Sequence, residues 1–323
     1  MNPGSPYYMN RLGGIYERRR EYEKAIRIYQ DVLNIDDENE HAIRRLMYIY
    51  SFLSNRERDL EKVKIGIEYA TRLIEVNKTA EGYIERGNLL IDLYDLEGAV
   101  RDCKKAIDLD PEAFYAYNNL GCALLKLRRV DEAIDVLEQV IKMDPEYDHL
   151  PYINLAECYA LKKRYQDAID QYHKVMDIWP ERVGYLEDVA ELYAKMGNYK
   201  QSIETYENIP EAYRLVDEDT KNSMTYISNT IESCCDIIKV CAQQGDYKSG
   251  NRYVKKAMKL LNKYKGQRCP SKVDCIIEYY RDQGDYKTAK LYGDKLLHYV
   301  KKRGYNDKLL IFAYVTVLFE LGQ

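Results

Sequence analysis

The chain has 323 residues, with 49 Lys and Arg against 53 Asp and Glu, a net charge of −4. That balance marks neither nucleic acid nor a membrane surface as the partner of the whole chain. No run of about eighteen apolar residues predicts a membrane span, and the opening MNPGSPYYMN lacks the basic and apolar regions of a secretory signal.

From the N-terminus the chain reads as successive helical hairpins, with apolar residues at i, i+3, i+4 and i+7 in each half. Residues 6–39 form the first: Met9, Leu12, Gly13 and Tyr16 in one helix, then Tyr22, Ala25, Tyr29 and Val32, with Asp37 where later hairpins close on Pro. Residues 40–78 form a degenerate second, with helices expected over His41–Leu53 and Asp59–Val76. The third, residues 80–113, carries Tyr83, Gly87, Leu90, Ala99, Cys103, Ala106 and Pro111. The fourth, Phe114–Tyr147, has the clearest pattern: Tyr117, Leu120, Gly121 and Leu124, a polar connection over Lys126–Arg129, then Ala133, Leu137 and Val140, closing at Asp144-Pro145. Gly121 and Ala133 are small, which predicts that the two helices cross there. The fifth, residues 149–182, repeats the pattern at Tyr152, Leu155, Ala156, Tyr159, Ala168, Tyr172 and Pro180. The sixth starts near Val183, carries Leu186, Ala190, Tyr193, Gly197, Tyr199 and Tyr206, and is expected to close at Ile209-Pro210.

Then the period breaks. Asp217–Asn222 reads as a polar loop, Ser223–Gln243 as a long helix, Gln244-Gly-Asp-Tyr247 as a turn, and a second helix runs to about Lys265. The turn recurs at Gln283-Gly-Asp-Tyr286. A domain boundary is therefore expected at 216/217, between a regular array over 1–216 (about six hairpins) and longer hairpins over 217–323. Asp307–Gly322 reads as a final first helix whose Phe312, Tyr314, Val317, Leu318 and Phe319 have no second helix to cover them. This predicts a fragment of a longer protein, a terminal capping helix, or a dimer or obligate partner meeting the C-terminal helix.

The fourth hairpin resembles a tetratricopeptide repeat, whose pattern W-x2-L-G-x2-Y…A-x3-F…P is matched by Tyr117, Leu120, Gly121, Leu124, Ala133, Leu137 and Pro145, with Tyr in the Trp position. The resemblance covers nearly the whole chain. It implies an all-α, right-handed superhelical solenoid of helix–turn–helix repeats, in which first helices line a concave groove that binds a partner peptide or helix. By the same resemblance, Asn119 and Asn154 stand where some members hold a peptide backbone by a side-chain amide. Tyr115 and Tyr7 are exposed aromatic anchors. Glu157, Glu187, Asp188, Glu191, Asp236 and Glu278 make the later groove acidic, which points to a basic segment as ligand. The two-carboxylate clamp of chaperone-binding members is not expected, because Ile84 and Leu150 stand where that clamp needs cations.

Gly245–Arg303 holds sixteen Lys and Arg against six Asp and Glu, a net of +10 within a chain of −4. Lys248, Arg252, Lys255, Lys259 and Lys263 share one stripe of one helix, a candidate site for an anionic partner. Nucleic acid is disfavoured, because exposed aromatics are not interleaved with that stripe. No chemistry is expected. His41, His149, His173 and His298 are scattered, and no HExxH, GxSxG, Walker or GxGxxG motif is present. The eight cysteines form no CxxC pair, which suits reduced thiols in a cytoplasmic protein. The expectation is a protein–protein interaction scaffold, not an enzyme, without cofactor or metal. The alternative is a regulatory arm of a multidomain enzyme such as a peptidase or transferase, or a module that binds nucleic acid or an acidic partner through 245–303.

Overall fold

The computed structural model describes residues 4–216, 224–264, 271–304 and 307–322. The polar loop expected at 217–222, on which the boundary at 216/217 rests, and Cys269 lie outside the described residues. Among these residues there are seventeen α-helices and no strand, and no helix is long and apolar enough to cross a membrane. The chain divides into two compact units, Met1–Leu161 and Lys162–Gln323.

The first unit holds four complete hairpins and one further helix. They are α1 (Pro6–Arg18) with α2 (Tyr22–Ile35), α3 (Glu40–Glu57) with α4 (Leu60–Val76), α5 (Ala80–Asp92) with α6 (Leu96–Leu109), α7 (Phe114–Lys126) with α8 (Val130–Met143), and α9 (Leu150–Leu161). The second unit runs α10 (Tyr165–Ile178), a 3-10 turn at Val183–Tyr185, α11 (Leu186–Lys195), α12 (Tyr199–Val216), α13 (Met224–Gln244), α14 (Tyr247–Lys263), α15 (Cys275–Asp282), α16 (Tyr286–Arg303) and α17 (Lys308–Glu320). Each hairpin turn contains one left-handed residue. Early turns place Arg20, Arg58, Tyr94 and Arg128 there, whereas Gly197, Gly245 and Gly284 do so later. Asp59, Asp95, Asp246 and Asp285 then cap the following helix by accepting from its first-turn N–H groups.

In the first, third and fourth hairpins the close approach follows from one glycine. A Cβ on Gly121 would lie 2.6 Å from Cδ2 of Leu137, and one on Gly13 would lie 2.6 Å from Cζ of Tyr29. Gly87 faces the Sγ of Cys103 in the same way, at 3.0 Å. The side chain that Gly121 meets most closely is the large Leu137. The facing residues Tyr29, Cys103 and Leu137 are fully buried. The Tyr that replaces Trp has its own use. Tyr117 donates its hydroxyl to the Pro111 carbonyl at 3.3 Å, and Tyr152 donates to the Pro145 carbonyl at 3.0 Å. Each ties a first helix to the closing proline of the hairpin before it.

One expectation needs correction. The sixth hairpin does not close at Ile209-Pro210, because α12 continues through Pro210 to Val216. Ile209 is buried in a cluster with Tyr206 and Ile231, and that packing carries the helix past a residue with no N–H to give. Among the tyrosines that open second helices, Tyr22, Tyr165, Tyr199 and Tyr286 are half-buried and Tyr247 is exposed. At the far end, α17 buries Leu310, Ala313 and Val317 and turns Leu309, Phe312, Val315 and Phe319 outward.

The second unit is cross-tied by one cation. Lys272 adopts a left-handed backbone, φ 65°, ahead of α15. Its ammonium donates to Asp236 on α13 at 2.7 Å and to Glu187 on α11 at 3.3 Å. Asp236 is only 8% exposed. Burial pushes its carboxyl above the usual range, even though Lys272 and Lys239 pull the other way.

Gly121→Ala should destabilise the first unit. Overpacking of about 1–3 kcal/mol outweighs the roughly 1 kcal/mol gained in helix propensity. In the double variant with Leu137→Ala the losses should be less than additive, read by urea denaturation. Additive losses would mean that the two residues do not oppose each other. Lys272→Met should cost about 1–3 kcal/mol at neutral pH, less than for a fully buried pair because the lysine is partly exposed. A carboxyl raised in the folded state destabilises as pH rises through its folded value. The deficit should therefore vanish in acid, below the unfolded carboxyl value of about 3.9, and Asp236→Asn in the same background should restore most of it. A deficit that does not change with pH would show that Lys272 acts by packing alone.

Candidate functional site

The first helices of the first unit line a cleft of about 660 Å³. Tyr48 of α3, Glu81, Ile84, Glu85 and Asn88 of α5, and Tyr115, Asn118 and Asn119 of α7 face it. Asp110 and Glu112, from the turn before α7, line it as well, with Tyr147 and Leu150 at one end. Glu81, Glu85 and Asn88 step by four and three, which puts them on one face of α5. Glu81 accepts from the Tyr48 hydroxyl at 2.8 Å and pairs with Arg44 at 3.1 Å. Glu85 accepts from Ser51 at 3.3 Å. Burial and the neighbouring Glu81 raise its carboxyl above the usual range, against the Ser51 hydrogen bond. Four carboxylates line the cleft, and no Lys or Arg is among the described residues that do.

Asn119 faces this cleft directly. Asn154 of α9 reaches it at one remove, donating its amide to Asn118 Oδ1 at 3.0 Å. With that oxygen engaged, Asn118 has its amide N–H groups to offer. Tyr115 is 55% exposed and meets Tyr147 edge-on at 5.4 Å, while Phe114 stacks on Tyr147 at 4.4 Å. Burial and the hydrogen bond with Tyr115 push the Tyr147 phenol well above its ordinary value. Tyr7 is exposed under Arg11 beside a separate pocket at α1. Sequence reasoning missed Glu81, Asn118 and Tyr147 as cleft residues. The signal was present for the first two, in the step of four from Glu81 to Glu85 and in the paired Asn118-Asn119. For Tyr147, which lies outside any helix, no period could reveal it.

The remaining acidic candidates divide between the two units. Glu157 is exposed on α9, where its charge helps to raise the half-buried Cys122 thiol of α7. In the second unit Glu187 and Asp236 are bridged by Lys272 as described above. Glu191 lies 3.9 Å from Lys195, and Glu278 lies 3.9 Å from Arg281. Asp188 keeps a raised carboxyl through desolvation and the like charges of Glu191 and Glu187. Lys272 was not part of the sequence reading of this face, since nothing in the spacing aims it there.

On α14, Lys248, Arg252, Lys255, Lys259 and Lys263 are all exposed. Of these, Lys255 lines a cleft of about 820 Å³ shared with α16. The seven described cysteines are free. Among the described residues no group of three or more His, Cys, Asp or Glu is placed to hold a metal ion.

Comparison with known proteins gives the family. Models described as tetratricopeptide repeat match residues 84–148 and 119–183 and residues 9–43. A TPR repeat-containing protein of Methanocaldococcus jannaschii is 24% identical over 205 residues, covering 59% of this chain and 34% of that protein. A BBSome complex member BBS4 homolog of Drosophila melanogaster is 22% identical over 198 residues, covering 61% and 38%. The chain thus spans little more than a third of the length of these relatives. Among solved structures, the C-terminal part of a TPR repeat-containing protein from Cytophaga hutchinsonii matches with a TM-score of 0.59 at 17% identity, covering 78% of this chain and 95% of that one. At that identity the likeness speaks for the fold. Repeat models, helical-hairpin architecture and relatives agree: the chain is a tetratricopeptide-repeat protein.

Proposed function

We propose that the chain is a protein-interaction scaffold whose first unit captures an extended, basic peptide segment in the cleft between α3, α5, α7 and α9. One observation carries this reading: four carboxylates and three asparagine amides line a cleft with no described cation. An extended peptide presents alternating N–H and C=O groups, and a side-chain amide can answer both. Asn88, Asn118 and Asn119 supply those amides, and Asn154 holds Asn118 in place. Glu85 is desolvated and uncomfortable as a bare anion, so a lysine or arginine brought beside it relieves that cost and forms a charge-assisted hydrogen bond. Tyr115 and Tyr147 offer an amphipathic edge for an apolar or aromatic ligand side chain. A carboxylate-terminated ligand is disfavoured, because the cleft would set like charges side by side.

Peptides selected from a random library against the chain should be enriched in Lys and Arg. For a selected peptide, Asn119→Ala should weaken binding by about 1 kcal/mol. Glu85→Gln should cost about 1–2 kcal/mol toward a basic peptide and nothing toward a neutral analogue. Selection of acidic peptides, or unchanged affinity in both variants as measured by fluorescence anisotropy, would remove this cleft as the binding site.

A further inference from the structure

The second unit carries a cleft of opposite character between α14 and α16, about 820 Å³ in volume. Its floor is apolar: Met258 and Leu261 from α14, Leu291, Tyr292 and Tyr299 from α16. Lys255, Lys295, Lys302 and Arg303 stand over it. Its one described carboxylate, Asp294, accepts a hydrogen bond from the Tyr314 hydroxyl and pairs with Lys290 at 3.3 Å. The four cations are not so matched. Lys295 lies over the Tyr292 ring at 5.2 Å and Arg303 over the Tyr299 ring at 5.0 Å. Among the described residues none of the four is in an ion pair with a carboxylate. Leu291 is 51% exposed in the middle of this charge.

We infer that the α14–α16 cleft docks an acidic amphipathic helix, its apolar side chains on Leu291 and Met258 and its carboxylates on Lys255, Lys295, Lys302 and Arg303. Charge complementarity selects the sign of the ligand. The apolar floor selects its pattern: a helix laid in a groove anchors through residues at i, i+3, i+4 and i+7. Nucleic acid fits less well. Phosphates would use the cations but gain nothing from Leu291, Met258 and Leu261. Bases would need open aromatic faces, and Tyr292 is covered by Lys295 on one side and stacked with Tyr280 at 5.3 Å. This site is independent of the cleft in the first unit, and either reading can fail alone.

The test uses a fluorescein-labelled designed helix with Leu at i, i+3, i+4 and i+7 and Glu on its remaining face, titrated with the whole chain and followed by anisotropy. Binding is expected. The pair Lys255→Glu with Lys295→Glu should weaken it about tenfold or more, and Leu291→Asp should do so by a similar factor. Lys248→Glu with Lys259→Glu, the same charge change outside the cleft, should cost less than about threefold. All these side chains are exposed, and circular dichroism on each variant confirms the fold. Polyglutamate should bind more weakly than the helix. The inference is overturned if the helix does not bind, if both charge pairs lose affinity equally, if Leu291→Asp has no effect, or if a duplex DNA of equal charge binds more tightly.

Discussion

Helix-to-helix distance inside three hairpins of the first unit rests on a missing side chain. Gly13, Gly87 and Gly121 each let a first helix lie against a bulky residue of the second, respectively Tyr29, Cys103 and Leu137. Glycine costs about 1 kcal/mol in a helix relative to alanine, so its recurrence at one register position needs a return. The return is close packing around a fully buried partner, together with a fixed crossing point. Everything on the ligand-facing side inherits that fixed point. Asn88 and Asn119 face the cleft because each lies on a first helix whose rotation is set by the glycine behind it.

A second constraint links one hairpin to the next. Tyr117 and Tyr152 cross back to the carbonyls of Pro111 and Pro145, so the closing proline ends a helix and also offers an acceptor. Farther back, the Tyr29 hydroxyl donates to Glu17 at 2.5 Å, and Arg45 of α3 pairs with the same carboxylate. The network runs from α2 through α1 to α3. Hydroxyls thus extend the packing of a chain rich in tyrosine, with 33, and with Trp179 as its single tryptophan. A tryptophan could fill the same space but could not reach a carbonyl from the tip of its ring.

The helices were legible because each carries a 3.6-residue period and a break at either end. The last turns were legible too, since Gly197, Gly245 and Gly284 occupy the left-handed position openly. The earlier turns hide the same geometry under Arg20, Arg58, Tyr94 and Arg128, and no propensity argument would place those residues there. Pro210 misled in the opposite direction, because a local rule gave way to the burial of Ile209. The clefts were only half legible. The family resemblance placed Asn119 and Tyr115 on the groove, and helical spacing placed Lys255 on a basic stripe. Neither could show that Asp236 and Glu187 are closed off by Lys272, or that Tyr147 folds over Phe114, since these meetings join residues that no single period relates.

A near-neutral whole chain conceals this division of charge. The cleft of the first unit gathers Glu85, Asp110 and Glu112 beside Glu81, which Arg44 of α3 already pairs, while the α14–α16 cleft gathers Lys255, Lys295, Lys302 and Arg303. Screening confines each field to about 10 Å at moderate salt, so a ligand responds to the cleft it enters and not to the net charge of −4. The acidic stretch between them differs from both. With Lys272 holding Asp236 and Glu187, much of its charge is spent on cohesion within the second unit, and Glu191 lies beside Lys195 of its own helix. Composition therefore sets a weak limit on partners for a repeat protein. The assignment of each charge, to a ligand or to its own fold, depends on whether a counter-charge from another helix has already reached it.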